Sequence, residues 1–156
     1  MKNFLELIRG CLQEVPEIMP WDLAERLQAN PDLLIVDVRE PDEFAAMHIA
    51  GSLNAPRGIL ESACEWDYEE TIPELVRARG RELVVVCRSG YRSVLAGSSL
   101  LLLGFTDVVS LRTGLRGWKD DEQPLVDAAD AVVDLDAADA YFTPRLRPDQ
   151  RRPQDA

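Results

Sequence analysis

The sequence predicts an α/β domain in which a mainly parallel β-sheet is covered by helices on both faces. Three short segments rich in apolar residues predict strands that are buried on both sides, because apolar and polar residues do not alternate in them. Segments with helical spacing lie between these strands, and this order is typical of parallel strands joined by crossover helices. The three predicted strands cover residues 33–36, 82–87 and 108–111.

Two predicted helices precede the first strand. Apolar side chains recur every three or four positions over residues 2–15, which is the pattern of an amphipathic helix. Pro16 ends this helix, and Pro20 suits the first turn of a second helix that runs to Gln28. Residues 1–17 are therefore expected to form an amino-terminal helical segment ahead of the main domain.

The remaining elements continue the alternation of helices and strands. Gly80 closes a helix at residues 72–78, and residues 91–103 are apolar enough to form a nearly buried helix. The other expected elements are helices at residues 41–47 and 114–119 and a brief strand at residues 52–55.

The composition changes after Pro124, which indicates a carboxy-terminal extension at residues 126–156. This extension is acidic at first and then contains Arg and Pro, and residues 127–139 hold five Asp and no basic residue. Residues 125–142 are expected to form a helix or strand that packs on the domain or on a partner. The last dozen residues are expected to be loosely ordered.

Composition and charge exclude several classes of function. The 156 residues fit one domain with appended ends. The net charge of −11 argues against nucleic acids and anionic membranes as partners, because their phosphate groups bind Lys and Arg. The single histidine, His48, disfavours a metal site.

Cysteine content and hydropathy predict the compartment. Cys11, Cys64 and Cys87 cannot all pair within one chain, which argues against a disulfide scaffold and favours a reducing environment. The start of the chain lacks the apolar core of a signal peptide, and no apolar stretch is long enough to span a bilayer. We therefore expect a cytoplasmic protein.

Cys87 is the strongest candidate for a catalytic residue. It directly follows the apolar run at residues 83–86 and ends the predicted strand, and Gly90 then allows a tight turn into the helix at residues 91–103. Backbone N–H groups of such a loop, together with the helix amino terminus, help a thiol to ionise and attract anions. A buried core cysteine is the alternative, but the neighbouring Arg88 and Arg92 would be out of place in a core. Cys87 is predicted to be a reactive nucleophile.

Three separate segments, in the same order along the chain, match one family pattern. They are Asp37-Val38-Arg39-Glu40 with Glu43-Phe44 and residues 48–56, then residues 87–93, and finally residues 104–108 with Thr113-Gly114 and Trp118. Over residues 18–125 the chain resembles the single-domain rhodanese, or sulfurtransferase, family, which implies a three-layer α/β/α fold. Met47 and Thr113 depart from the pattern, since the family usually has a small residue and a glycine there.

The resemblance implies a chemistry for Cys87. In that family a cysteine takes a sulfane sulfur from a donor such as thiosulfate and holds it as a persulfide. It then passes the sulfur to a thiophile, which is cyanide in the assay and a thiol or a sulfur-carrier protein in the cell. The persulfide is itself the carrier, so no bound cofactor is expected. The matching active-site loop comprises Cys87, Arg88, Ser89, Gly90, Tyr91, Arg92 and Ser93.

Individual roles follow from the same resemblance and from residue chemistry. Gly90 lets the backbone close over the sulfur where a Cβ atom would clash. Arg92 can face the anionic substrate or tie the loop to a carboxylate. Asp37 and Arg39, which follow a neighbouring strand, are candidates for holding the loop by ion pairing.

Two alternatives to a sulfurtransferase enzyme remain open. The chain could be a persulfide carrier in a protein relay, since the amino-terminal helix and the Asp-rich extension offer docking surface. A homodimer through these terminal extensions is a separate possibility. It could also be a phosphatase or an arsenate reductase. Cys-dependent phosphatases place five residues between Cys and Arg, whereas four separate Cys87 from Arg92, and the smaller loop favours sulfur.

Two further side chains have competing interpretations. His48 could pair with a catalytic cysteine, but a structural hydrogen bond to backbone is favoured. Cys64 could resolve the Cys87 persulfide, although an incidental thiol is the preferred interpretation.

Overall fold

The computed structural model of the chain describes residues 1–154 and contains a five-stranded sheet. Neighbouring strands pair in parallel, in the order β1-β5-β4-β2-β3. This confirms the predicted α/β class with a parallel sheet. The strands are β1 (Glu17–Ile18), β2 (Leu34–Asp37), β3 (Leu53–Asn54), β4 (Glu82–Val86) and β5 (Asp107–Leu111).

Helices cover both faces of the sheet, as the three-layer prediction requires. Helices α4, α5 and α6 contribute to the core on one face, and α2, α7 and α8 contribute to the core on the other. The helices are α1 (Phe4–Cys11), α2 (Pro20–Ala29), α3 (Pro41–Ala46), α4 (Leu60–Ala63), α5 (Pro73–Val76), α6 (Tyr91–Leu102), α7 (Gly114–Asp120) and α8 (Leu135–Phe142).

The central strand β4 shows why the apolar runs form a doubly covered sheet. Leu83 and Val85 belong to the core cluster on one face, and Val84 and Val86 belong to the cluster on the other. All four side chains are fully buried. Each contributes roughly 1.5–3 kcal/mol by its burial, so the strand anchors the segment that follows it.

The amino-terminal prediction needs two corrections. Helix α1 ends at Cys11 and not at residue 15, since the N–H groups of Gln13 and Glu14 bond to carbonyls three residues back, as in turns. Strand β1 was not predicted, since two residues are too few to show periodicity. Helix α1 packs against α6 and buries Ile8, and Val15 is also buried. The segment 1–17 therefore lies on the domain.

The carboxy-terminal extension also packs on the domain, and helix α8 is its regular element. Val126 forms an antiparallel bridge with His48, while Phe142 of α8 is buried in the core. Of the last dozen residues, 145–154 are exposed and contain a 3-10 turn at Pro148–Gln150. Residues 155 and 156 of the predicted extension 126–156 lie outside the described residues.

The residue just before helix α7 is strained, at a position where the family pattern has a glycine. Thr113 has φ +67°, a conformation that is unfavourable for a β-branched residue. Its side chain lies over Gly117, because a Cβ atom added at Gly117 would stand 1.7 Å from Thr113 Oγ1 and 2.5 Å from Thr113 Cβ. The position of the Thr113 side chain therefore requires a glycine at position 117.

Replacing Gly117 by alanine is expected to lower the free energy of unfolding by about 1–3 kcal/mol, because the added methyl group overlaps Thr113. In a Thr113→Gly background the overlap is absent, and alanine gains about 0.5–1 kcal/mol over glycine within a helix. The same substitution should then be neutral or stabilising. Urea unfolding of the four proteins measures the difference, and an equal cost in both backgrounds would contradict this packing.

Candidate active site

The candidate active-site loop lies at the carboxyl end of β4. Strand β4 stops at Val86, Cys87 follows, and α6 begins at Tyr91. Gly90 precedes the helix with φ +96°, and its N–H donates a hydrogen bond to Cys87 Sγ at 3.1 Å. The Cys87 side chain is only 1% exposed, so the loop folds around the sulfur.

Two buried hydroxyl groups extend from the sulfur into the protein. Cys87 Sγ lies 3.3 Å from Ser93 Oγ, and Ser93 Oγ lies 2.8 Å from Ser110 Oγ on β5. Both serine side chains are fully buried. A hydroxyl can donate to a thiolate or accept from a thiol, so this pair can serve either protonation state of Cys87. Ser110 had no predicted role, although a hydroxyl within an apolar strand was the available signal.

The start of α7 braces the loop from behind. The Leu115 N–H donates to the Cys87 carbonyl at 2.8 Å, and the Arg116 N–H donates to the Arg88 carbonyl at 3.0 Å. A Cβ atom added at Gly114 would lie 2.5 Å from the Arg88 carbonyl carbon and 2.6 Å from the Cys87 carbonyl oxygen. The close approach of α7 to the loop therefore requires a glycine at this position.

Arg92 ties the active-site loop to a carboxylate on α3. Its two terminal nitrogens donate to the two oxygens of Glu43 at 2.7 and 2.9 Å, a bidentate pair. Burial alone would raise the pKa of Glu43, but hydrogen bonds from Arg92 and from the Glu40 N–H outweigh it and lower that pKa. Arg92 was expected either to face the anionic substrate or to tie the loop to a carboxylate, and this contact is the tie to a carboxylate. Glu43 itself had no predicted role.

The Glu43–Arg92 pair predicts a pH dependence of stability. A carboxylate whose pKa is lowered by folding stabilises the protein above its unfolded pKa of about 4.3, and this contribution is lost as the pH falls through the folded pKa. The free energy of unfolding should therefore differ most between wild type and Glu43→Gln near neutral pH. The difference should shrink below pH ~4.

The control for this measurement is Asp42→Asn, which changes an exposed carboxylate on the same helix. It should show no comparable dependence. A difference between wild type and Glu43→Gln that is constant from neutral to acidic pH would contradict the stabilising role of the ion pair.

Asp37 and Arg39 pair with each other and not with the loop. Arg39 Nε and Nη2 donate to the two carboxylate oxygens of Asp37 at 3.0 and 2.8 Å, and both side chains are fully buried. Arg39 Nη2 also donates to the Met47 carbonyl at 2.7 Å. Asp37 and Arg39 were expected to form ion pairs that hold the loop. Instead, the two buried charges neutralise each other. Their effect is to fix the end of β2, next to β4.

The other loop residues face different neighbours. The Arg88 guanidinium lies over the rings of Tyr141 and Phe142, 6.0 and 5.7 Å from their centroids. Tyr91 is partly exposed and makes an edge contact with Phe4 of α1, with the ring centroids 5.6 Å apart. Ser89 is exposed. Both terminal segments therefore contact the active-site loop, which sequence analysis did not predict.

His48 and Cys64 have the structural environments that sequence analysis favoured. His48 Nδ1 lies 2.8 Å from the Phe44 carbonyl, and its ring stacks on Phe44 at 3.9 Å. Cys64 is fully buried, and burial raises its pKa to about 11. A buried thiol that stays protonated is a poor candidate for resolving a persulfide.

Residues 1–154 contain no cluster of three His, Cys, Asp or Glu side chains that could hold a metal ion. Within the same residues, no helix combines the length and the apolar character that crossing a membrane requires.

Two bacterial proteins are similar to this chain in sequence. A protein described as a sulfurtransferase from Allochromatium vinosum is 33% identical over 112 residues, which cover 72% of this chain and 95% of that protein. The probable adenylyltransferase/sulfurtransferase MoeZ of Mycobacterium tuberculosis is 31% identical over 107 residues, covering 69% of this chain. This chain matches only 25% of the length of MoeZ.

Solved structures show the same architecture. The human single-domain sulfurtransferase TSTD1 superimposes with a TM-score of 0.59 at 29% identity, covering 70% of this chain and 99% of that one. A Rhodopseudomonas palustris protein of unknown function, RPA3614, described as a possible tyrosine phosphatase, has a TM-score of 0.71. It is 24% identical and covers 80% of this chain and 94% of its own, so the likeness concerns the fold alone.

The family follows from a match that spans strands β2–β5 and the active-site loop together. The model of the rhodanese-like domain matches residues 20–121, more than half of the chain and nearly all of the segment 18–125 that resembled it. This chain belongs to the rhodanese-like domain family.

Proposed function

We propose that this chain is a sulfurtransferase that accepts a sulfane sulfur on Cys87 from thiosulfate or a persulfide and passes it to a thiophilic acceptor. Cyanide serves as that acceptor in vitro, and a thiol or a protein serves in the cell. One observation carries the proposal: Cys87 Sγ sits inside a short loop, within hydrogen-bond distance of the Gly90 N–H and the Ser93 hydroxyl. Residues 88–93 then form the substrate-binding loop.

The first step loads the cysteine. The Cys87 thiolate attacks the outer sulfur of thiosulfate, a new S–S bond forms, and the original S–S bond breaks. Sulfite leaves with the electron pair, so no external oxidant or reductant is needed. The Gly90 N–H donates a hydrogen bond to Sγ, and the amino terminus of α6 is the positive end of the helix dipole. Both stabilise negative charge on sulfur.

The second step unloads the cysteine. The acceptor attacks the outer sulfur of the persulfide, and the bond to Cys87 Sγ breaks. The electron pair returns to Cys87 as a thiolate, which restores the starting enzyme. Ser93, whose hydroxyl lies 3.3 Å from Sγ, is placed to donate a hydrogen bond to that leaving thiolate.

A carrier in a protein relay is the second candidate, and one observation favours it. Phe4, Leu5 and Leu7 of α1 are each about half exposed, and Phe4 contacts Tyr91 of the active-site loop. An apolar surface beside the loop suits a partner protein that loads or unloads Cys87. A homodimer through the terminal extensions and a cytoplasmic location also stay predictions, together with the boundaries 1–17, 18–125 and 126–156.

Thiocyanate formation from thiosulfate and cyanide, measured at steady state, tests the proposal. We expect saturable turnover with the purified chain. No turnover with small donors, combined with loading of Cys87 by a persulfidated protein, would favour the carrier. Hydrolysis of an aryl phosphate without sulfur transfer would refute both.

A further inference from the structure

Strand β5 carries a polar side chain at a position that packs inside the protein. Ser110 is fully buried, and its neighbours Val109 and Leu111 are buried apolar residues. Alternation along the strand places Ser110 on the same side as Val108, which belongs to the core cluster to which helix α6 contributes. A buried hydroxyl is unfavourable unless it forms a hydrogen bond. The hydrogen-bond partner of Ser110 therefore indicates what this side chain does.

The hydroxyl of Ser110 reaches the nucleophile through one other hydroxyl. Within residues 1–154, its single hydrogen bond joins Ser110 Oγ to Ser93 Oγ at 2.8 Å. Ser93 Oγ lies 3.3 Å from Cys87 Sγ, and the Gly90 N–H donates to the same sulfur at 3.1 Å. The side chains of Cys87, Ser93 and Ser110 are each at most 1% exposed, so bulk water does not reach them. Ser110 is thus connected to Cys87 in series through Ser93.

The number of protons in this series distinguishes the two ionisation states of Cys87. The series has two links, Ser110 to Ser93 and Ser93 to Sγ, and each link uses one proton. When Cys87 is a thiolate, Ser110 donates to Ser93 and Ser93 donates to Sγ, so both hydroxyl protons are used. When Cys87 is a thiol, three protons share two links. Residues 1–154 offer these three groups no other acceptor, so one buried donor stays unpaired, which is unfavourable.

The charged side chains in or beside the loop are separate from this series. They are Arg88, Arg92, Glu43, Asp37, Arg39, Arg112 and Arg116. The ion pairs among them join Arg92 to Glu43 and Arg39 to Asp37. In the described part of the chain, none of these side chains forms a hydrogen bond with the hydroxyl of Ser93 or Ser110. Replacing Ser110 therefore removes a hydroxyl and leaves the surrounding charges in place.

We propose that Ser110 is a positioning residue that directs the Ser93 hydroxyl proton towards Cys87 Sγ while the sulfur carries negative charge. This inference rests on the proposed sulfur transfer. Sγ is a thiolate when it attacks the donor, and it becomes a thiolate again when the acceptor breaks its bond to the outer sulfur. At both points Ser110 donates to Ser93, which leaves the Ser93 proton for Sγ. No proton is transferred, because both hydroxyl groups stay intact and only rotate.

Titration of the Cys87 thiolate by its ultraviolet absorbance tests the proposal without a sulfur donor. The signal of Cys87 is the difference between each protein and the same protein carrying Cys87→Ser. Ser110→Ala should move the titration midpoint upward by about 0.5–1 pH unit, as expected for the loss of one hydrogen bond that supports a charged group. Ser62→Ala is the control, because the Ser62 hydroxyl donates to the Ile59 carbonyl and is not bonded to the series, so the midpoint should not move.

Two comparisons separate positioning from packing. Ser110→Thr and Ser110→Val give side chains of nearly the same shape, but only threonine keeps the hydroxyl. The threonine variant should retain the wild-type midpoint, and the valine variant should shift it as alanine does. Ser93→Ala should shift the midpoint at least as far, and adding Ser110→Ala to it should cause no further shift, because Ser110 acts through Ser93. Urea unfolding verifies that each variant compared is folded.

Turnover should follow the titration. Below the midpoint, thiocyanate formation by Ser110→Ala should be about 3–10-fold slower than by wild type, in line with its smaller thiolate fraction. An unchanged midpoint or rate in folded Ser110→Ala, equal midpoints for Ser110→Thr and Ser110→Val, or additive shifts in the double variant would overturn the positioning role. Thiocyanate formation by wild type would then leave the proposed function intact, whereas its absence would refute the function itself.

Discussion

Cys87→Ser is expected to reduce sulfur transfer from thiosulfate to cyanide by a factor of at least about 10³, because a serine oxygen cannot replace sulfur as a persulfide carrier. The serine hydroxyl fits the same cradle of the Gly90 N–H and the Ser93 hydroxyl, so the fold should be unaffected. Steady-state thiocyanate formation measures the loss, and urea unfolding checks the fold.

Cys11→Ser is the matched control for this substitution. Cys11 is also a free thiol, but it lies at the end of α1 and is only partly buried. Its replacement should leave turnover within about twofold of wild type, as expected for a residue outside the site. A folded Cys87→Ser protein that retains substantial turnover would contradict the role of Cys87.

Asp37→Asn is expected to lower the free energy of unfolding by about 3–5 kcal/mol, because it leaves the Arg39 charge buried without its counter-ion. Both side chains are fully buried, and three hydrogen bonds from Arg39 side-chain nitrogens reach the Asp37 carboxylate. Urea denaturation measures the change. Because the pair fixes the end of β2 beside β4, turnover should also fall in the variant.

Two comparisons sharpen this prediction. Glu82→Gln removes one partner of the exposed Arg26–Glu82 pair and should cost less than about 1 kcal/mol, as surface ion pairs do. Replacing both buried partners together, as Asp37→Leu with Arg39→Met, should recover much of the lost stability. Equal effects of Asp37→Asn and Glu82→Gln would contradict the importance of burial.

The sheet was predictable wherever burial left a pattern in the chain. Strand β4 is an uninterrupted apolar run because both of its faces are covered, and such runs are visible without a structure. Strand β1 and helix α4 have two and four residues and show no periodicity. They exist because neighbours hold them: β1 pairs with Ser110 and Leu111 of β5.

The active-site loop was predictable, but its supports were only partly so. Cys87, Gly90 and Arg92 are close together in sequence, so their spacing could be read directly. Glu43 and Ser110 reach the loop from α3 and β5. Such contacts join positions that lie 17 and 49 residues apart along the chain, and no local pattern reports them.

The carboxy-terminal extension shows the same limit. Its composition indicated a helix or a strand over residues 125–142, and the structure has a helix, α8, over the last part of that range. Nothing in the sequence indicated that Tyr141 would meet Arg88 beside the nucleophile. The position of α8 depends on packing of Phe142 against the sheet, which is a tertiary effect.

The measurement that tests the central claim most directly is the intact mass of the protein after incubation with thiosulfate. The account predicts a gain of one sulfur atom, located on Cys87 by peptide mapping, removed by cyanide and absent in Cys87→Ser. A gain located on Cys64 or Cys11, or one that persists in Cys87→Ser, would contradict the claim that Cys87 carries the sulfur.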